Sequence, residues 1–306
     1  MRIHRALRSP SAWLAFSLLA SGATAALADY GRPVDWQMGM QDMATNLGQS
    51  ISSFHTWVTA LMGLVVLFVL GLIVAVVAKF NENANPTPSR TTHHTVLEIA
   101  WTVVPVLILV AIAIPSFRIL REQMILPQKA DVVLKTIGHA WYWEYEYPAA
   151  QAGLPPEQGG FKFDQRILSD PNDQAKALPG PNGEPKQLAV DNEAVVPVNK
   201  VVLLQVTSAD VLHSFGVPSI GFTMDAVPGR LNEIWFKADR EGVYYGQCRE
   251  LCGIYHPFMP IAIRVVSEAQ YGAWLAEAKQ KFARTGTGTE FAAGGKPAAT
   301  SVAAAR

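Results

Sequence analysis

The sequence predicts a two-helix transmembrane hairpin followed by an all-β domain of Greek-key sandwich or barrel type. Three observations carry this. Two long uncharged apolar runs lie in the first 120 residues. From about Gln128 the pattern changes to short segments rich in Val, Ile, Tyr and Trp, broken by Gly and Pro. Half of the 306 residues are hydrophobic and only 16% are charged, which suits a membrane protein with a soluble part.

Residues 1–28 have the layout of a secretory signal peptide. Arg2, Arg5 and Arg8 form the basic start, Trp13 to Ala20 the apolar core, and Ala26-Leu27-Ala28 the small-residue cleavage site. The rival reading, a membrane anchor, meets a core too short to span. A bacterial source follows, with residues 29–53 as an N-terminal periplasmic segment.

The hairpin is expected over 54–120, with spans at about 55–79 and 97–119. Trp57 to Ala78 carries no charge and at about 1.5 Å per residue crosses a hydrocarbon core of roughly 30 Å. Lys79 ends it, and an Asn/Pro-rich turn follows to Arg90. Ile99 to Phe117 is the second run, ended by Arg118; it contains Pro105 and Pro115, which membrane helices tolerate. Basic residues flank both sides of the hairpin, so their count does not orient it. A cleaved signal does, placing the C-terminal domain in the periplasm and 79–96 in the cytoplasm: a multi-pass protein of the bacterial inner membrane.

In the domain, over 125–284, strands are expected at 131–137, 141–147, 195–207, 230–237, 242–247 and 261–266. Pro148 to Asn192 reads as a long inserted loop. Ser267-Glu268-Ala269-Gln270 is a capping-box signature that opens a helix to about Arg284. Residues 285–306 read as a disordered Ala/Gly/Thr tail.

The chemistry is concentrated in Gly246 to Pro260. This stretch holds both cysteines, Cys248 and Cys252, with His256 and Met259. Their spacing approximates a helical face, but Gly253 and Pro257 interrupt it, so a loop is expected, free to converge its side chains. Thiolate, imidazole and thioether together are ligands for a soft transition metal, above all copper. A disulfide and a structural zinc site are the rivals. The His and Met beside the thiols weigh against the first, and thioether is a poor zinc ligand.

One thiolate is surplus for a mononuclear copper site of one Cys, two His and a Met. The surplus is used most simply by two thiolates bridging two copper ions. Such a centre has no open position, so its natural role is electron transfer. The second histidine is expected at His213, after the apolar run Val201 to Val206; the rival reading is a core or surface histidine.

These residues resemble subunit II of cytochrome c oxidase, with its binuclear copper A centre. The resemblance runs through Gly138 to Tyr147, Asp210-Val211-Leu212-His213-Ser214, Asp225 to Asn232, the Cys loop and Glu98-Ile99-Ala100-Trp101-Thr102, roughly residues 45 to 270. It implies a cupredoxin domain. It implies His213, Cys248, Cys252, His256 and Met259 as copper ligands, with Glu250 bound through its carbonyl. It further implies a magnesium or manganese ion held by the Glu250 side chain at the boundary with subunit I. Trp141 would receive electrons from cytochrome c, and Glu98 would stand at the mouth of a proton path into subunit I.

Each assignment has a plainer rival. Trp141-Tyr142-Trp143 alternates as core aromatics do, so at least one Trp belongs to the core. Glu98 also suits a helix N-terminus as a dipole partner. Acids around Trp141 would steer a basic haem protein; the candidates are Glu146, Asp191 and Asp210, though single surface acids are mostly just solvated. Arg249 and Pro257 depart from the small residues common in the family at their positions. Zero net charge offers nothing for nucleic acid, and without Cys-x-x-Cys-His no c-type haem attaches to this chain.

The expected function is thus electron transfer from cytochrome c through copper to the haem–copper subunit I, where oxygen is reduced with proton pumping. Further oxidase subunits and the lipid bilayer would be its other partners. The alternative is a membrane-anchored copper-binding or copper-delivery protein. A quinol oxidase subunit of the same fold lacks the ligands present here, and a disulfide-bonded sensor domain would bind no metal.

Overall fold

The computed structural model describes residues 31–152 and 160–282. The expected signal peptide and the expected tail lie outside them.

Helix α1 spans Asn46–Lys79. Thr45 caps it: its Oγ1 accepts from Gly48 N at 2.8 Å and donates to Ile220 O at 2.8 Å, so one hydroxyl starts the helix and ties it to the β domain. Lys79 in the last turn complements the helix dipole. Helix α2 spans Thr95–Met124. His94 Nδ1 accepts from Leu97 N at 3.4 Å, while Glu98 Oε1 accepts from His94 N at 3.0 Å. This reciprocal pair resembles a capping box.

Both helices are long and apolar enough to cross a membrane, with mean hydropathy of 3.1 and 2.5 over their most apolar 18 residues, none of which is buried in the chain. They run beyond the apolar runs at both the start of α1 and the end of α2. Polar residues there continue the hydrogen-bond ladder, which hydropathy does not register.

The β domain follows as β1 (Val132–His139), β2 (Tyr142–Tyr147), a helical turn α3 (Ala149–Ala152), β3 (Phe161–Gln165), β4 (Ser169–Asp170) and β5 (Asp173–Ala177). Then come β6 (Ala194–Pro197), β7 (Val202–Ser208), β8 (His213–Val217), β9 (Phe222–Ala226), β10 (Asn232–Phe236), β11 (Gly242–Cys248) and β12 (Pro260–Val266). Helix α4 (Glu268–Phe282) closes the described chain. Its capping box forms as expected: Ser267 Oγ accepts from Gln270 N, and Gln270 Oε1 from Ser267 N.

Two five-stranded sheets stack, in the orders β10-β7-β1-β2-β3 and β6-β12-β11-β8-β9. The pairs β1/β7 and β6/β12 are parallel, the others antiparallel. Alternation decides what enters the core. On β2, Trp143, Tyr145 and Tyr147 point inward and are fully buried, while Tyr142, Glu144 and Glu146 face out. Trp143 meets Phe215 of the other sheet edge-on at 5.0 Å, and Trp274 of α4 closes over Tyr147 at 5.1 Å. Buried hydroxyls find partners: Tyr147 Oη donates to Val195 O at 2.8 Å.

Two expectations are corrected. The stretch 195–207 is two strands in different sheets, because the chain turns at Asn199 with φ 59° and crosses the sandwich. The stretch 148–192 is not a plain loop. It carries β3, β4 and β5, and β3 pairs with β2 from Trp143↔Gln165 to Tyr147↔Phe161. The alternation in Phe161-Lys162-Phe163 is real but short, and polar residues surround it. Strands β8 and β9 were not anticipated either; Gly216 and the Pro218–Gly221 turn interrupt their apolar pattern.

Candidate metal centre

The centre lies where β8 begins and β11 ends. His213 is the first residue of β8, Cys248 the last of β11. Beyond Cys248 the chain leaves the sheet as a loop, as expected, and returns through the 3-10 turn His256–Phe258 into β12. Two backbone bonds hold the loop's base: Cys248 N donates to Met259 O at 3.1 Å and Arg249 N to Ser214 O at 2.9 Å.

The side chains converge. Cys248 Sγ lies 3.9 Å from Cys252 Sγ and 3.9 Å from His213 Nδ1. Cys252 Sγ lies 3.6 Å from His256 Nδ1, and the Glu250 carbonyl is 3.3 Å from Cys248 Sγ. Each thiol thus has its own imidazole. Both cysteines are free, Cys248 buried and Cys252 half-buried. Met259 is buried at the loop's return.

The donor set fits a soft metal. Taking the roughly 2.3 Å metal–thiolate distance of zinc sites, sulfurs 3.9 Å apart lie within bridging reach of one ion. The ligand atoms of His213, Cys248 and Cys252 all lie within 4.8 Å of one another.

Electrostatics favour a cation. Burial pushes the Cys248 thiol up, but hydrogen bonding with His213 and the surrounding backbone outweighs it, and its pKa is lowered. Burial and the neighbouring Cys248 charge push Cys252 up to about 12. The metal-free pair therefore holds one proton strongly, and a cation displaces it.

Asp210 orients His213. Its Oδ1 lies 2.8 Å from His213 Nε2, and Asp210 also accepts from the backbone N–H of Ala140 and Val211. Burial raises the Asp210 carboxyl, but these bonds outweigh it and hold its pKa down. An ionised carboxylate only accepts, so Nε2 carries the proton and Nδ1 faces the sulfur with its lone pair. Sequence reading placed Asp210 among docking acids and missed this role; the Asp-x-x-His spacing was the available signal. Gly138 was also missed. A Cβ there would come within 2.8 Å of the His213 ring, so only glycine allows β1 to pass so close.

Trp141 borders the centre, half-buried. Its Nε1 donates to Cys252 O at 2.9 Å, and its ring meets Tyr255 edge-on at 4.9 Å. Gly253 turns beneath that ring with φ 118°, where a Cβ would lie 3.0 Å from Trp141 Cζ2. Of the Trp pair, Trp143 is the core residue.

The remaining candidates stand apart from the cluster. The Glu250 side chain is exposed. Glu98 caps α2. Glu146 pairs with Lys135 at 3.0 Å across β1 and β2, and Asp191 accepts from Arg166 N at 2.8 Å.

Residues 132–266 match the family described as cytochrome c oxidase subunit II, periplasmic domain, and residues 33–119 match that family's transmembrane domain. The chain is 45% identical over 264 residues to a probable cytochrome c oxidase subunit 2 of Rickettsia bellii, covering 85% of this chain and 91% of that one. It is 43% identical over 275 residues to cytochrome c oxidase subunit 2 of Cereibacter sphaeroides, covering 87% and 89%. Among solved structures, the periplasmic domain of subunit II of cytochrome oxidase from Bradyrhizobium japonicum is 49% identical, covering 52% of this chain and 100% of that one, with a TM-score of 0.43.

Proposed function

The chain belongs to the cytochrome c oxidase subunit II family, and from that premise we propose that Cys248, Cys252, His213, His256, Met259 and the Glu250 carbonyl hold a binuclear copper centre. Membership makes the chain subunit II of a haem–copper respiratory oxidase, an electron-transport protein with a transmembrane hairpin and a copper-binding domain. Other oxidase subunits are its partners.

The observation that carries the two-copper reading is the pairing of two thiols 3.9 Å apart with a separate imidazole for each. When bound, the copper pair supplies a one-electron acceptor and donor. The chain's own residues do the rest. Asp210 holds the His213 ring, and the β11 and β12 termini clamp the loop, so little has to rearrange on reduction or oxidation. Buried walls limit water at the sulfurs.

Trp141 is the residue through which electrons from cytochrome c arrive. The hydrogen bond from its indole to the Cys252 carbonyl supports this, since it joins the ring directly to a ligand residue. Docking uses Glu146 and Asp191, while Asp210 is taken up by His213. The exposed Glu250 carboxylate, without a partner among the described residues, helps hold magnesium or manganese against subunit I. Glu98, at the start of α2, serves the proton path. The domain faces the periplasm, with a cleaved signal before residue 29.

The test is copper per chain and the electron paramagnetic resonance spectrum of the purified full-length chain after copper loading. Two coppers sharing one unpaired electron are expected. Either of two outcomes would overturn the reading: one copper would favour a copper-delivery protein, and none with Cys248 and Cys252 linked a disulfide-bonded sensor domain.

A further inference from the structure

A cleft of about 740 Å³ opens between the two helices of the hairpin, at the end nearer the β domain. Ser50, Phe54 and Trp57 of α1 form one wall and Arg118 of α2 the other. An adjoining cleft extends it past Arg121 to Trp235 of β10. Its level is set by the sequence: Trp57 begins the uncharged run of α1, and Arg118 ends that of α2. The cleft therefore sits at the boundary between hydrocarbon and water, on the side of the β domain.

We propose that this cleft binds one anionic phospholipid, with its phosphate on the two arginines and its acyl chains along the apolar wall toward the membrane. The first support is charge. The cleft's charged residues are Arg118, Arg121 and Glu122. Arg118 Nε pairs with Glu122 Oε1 at 3.1 Å, an exposed and weak pair. Arg121 has no side-chain hydrogen bond or ion pair among the described residues. One positive charge is thus left uncompensated beside the headgroup layer, and guanidinium matches phosphate in geometry.

The second support is amphipathy. Phe54 and Trp57 stack at 6.1 Å on the membrane side of the cleft, where aromatic rings favour the bilayer interface. A phospholipid satisfies the apolar wall and the arginine together, with its acyl chains on the first and its phosphate on the second.

Native mass spectrometry of the full-length chain within its oxidase, released from nanodiscs, tests this with phosphatidylglycerol against phosphatidylcholine. The expected result is selective retention of one phosphatidylglycerol, lowered about tenfold or more in the Arg118→Gln/Arg121→Gln double variant. Unchanged copper content in the variant shows that the fold is intact and that the copper reading stands or falls separately. Equal retention of the two lipids, or full retention by the double variant, overturns the proposal. So does a photoreactive group at Ser53 that cross-links to another oxidase subunit instead of to lipid.

Discussion

The metal loop and the membrane hairpin are opposite solutions to burial. In the loop, polar ligands are drawn into a space closed by Trp143, Phe215 and the strand ends, and the chain itself supplies each neighbour. In the hairpin, Leu67 and Leu107 are 64% and 60% exposed, and what covers them lies outside the chain. Energies inside the β domain are therefore properties of this sequence alone. Those of the hairpin belong to the bilayer and the other subunits.

The comparison can be broken most directly at the loop. Cys252→Ser removes a proposed ligand with little change of volume at a half-buried position, and is expected to abolish the two-copper spectrum while the melting temperature of the metal-free protein stays nearly unchanged. A normal copper count would refute it. Leu204→Ala opens a cavity at a fully buried core position, and should cost about 2–5 kcal/mol in denaturant unfolding of the β domain.

Asp210→Asn keeps the shape but removes the charge that fixes His213. Competition with a copper chelator should show affinity lowered about 10–100-fold. An unchanged affinity would return Asp210 to the docking surface where the sequence alone had put it. The smallest effect is expected for Leu67→Ala on α1. The same change of side chain should alter unfolding of the β domain by less than about 0.5 kcal/mol, because nothing in the domain packs on it.

The hairpin was legible because membrane helices answer to composition and length. Trp57–Ala78 and Ile99–Phe117 needed no knowledge of their neighbours, only the Thr45 and His94 caps escaping notice. The proposed ligands stood out for a different reason: Cys248, Cys252, His256 and Met259 are close in sequence, and their chemistry is rare. Strand β3 was hidden because Phe161 and Phe163 are two apolar residues in a polar stretch, and only pairing with β2 makes them core. The break at Asn199 was missed because the Val-rich halves on either side look alike, although Asn199 and Lys200 part them and they serve different sheets.

Residue types and local spacing by themselves determined the two spans, the β character of the domain and the metal-binding loop. Tertiary structure alone decided that Asp210 grips His213, that Gly138 makes room for its ring, and that Trp141 bonds the Cys252 carbonyl while Trp143 fills the core behind His213. These depend on contacts between residues far apart in the chain, which exist only once both sheets have closed.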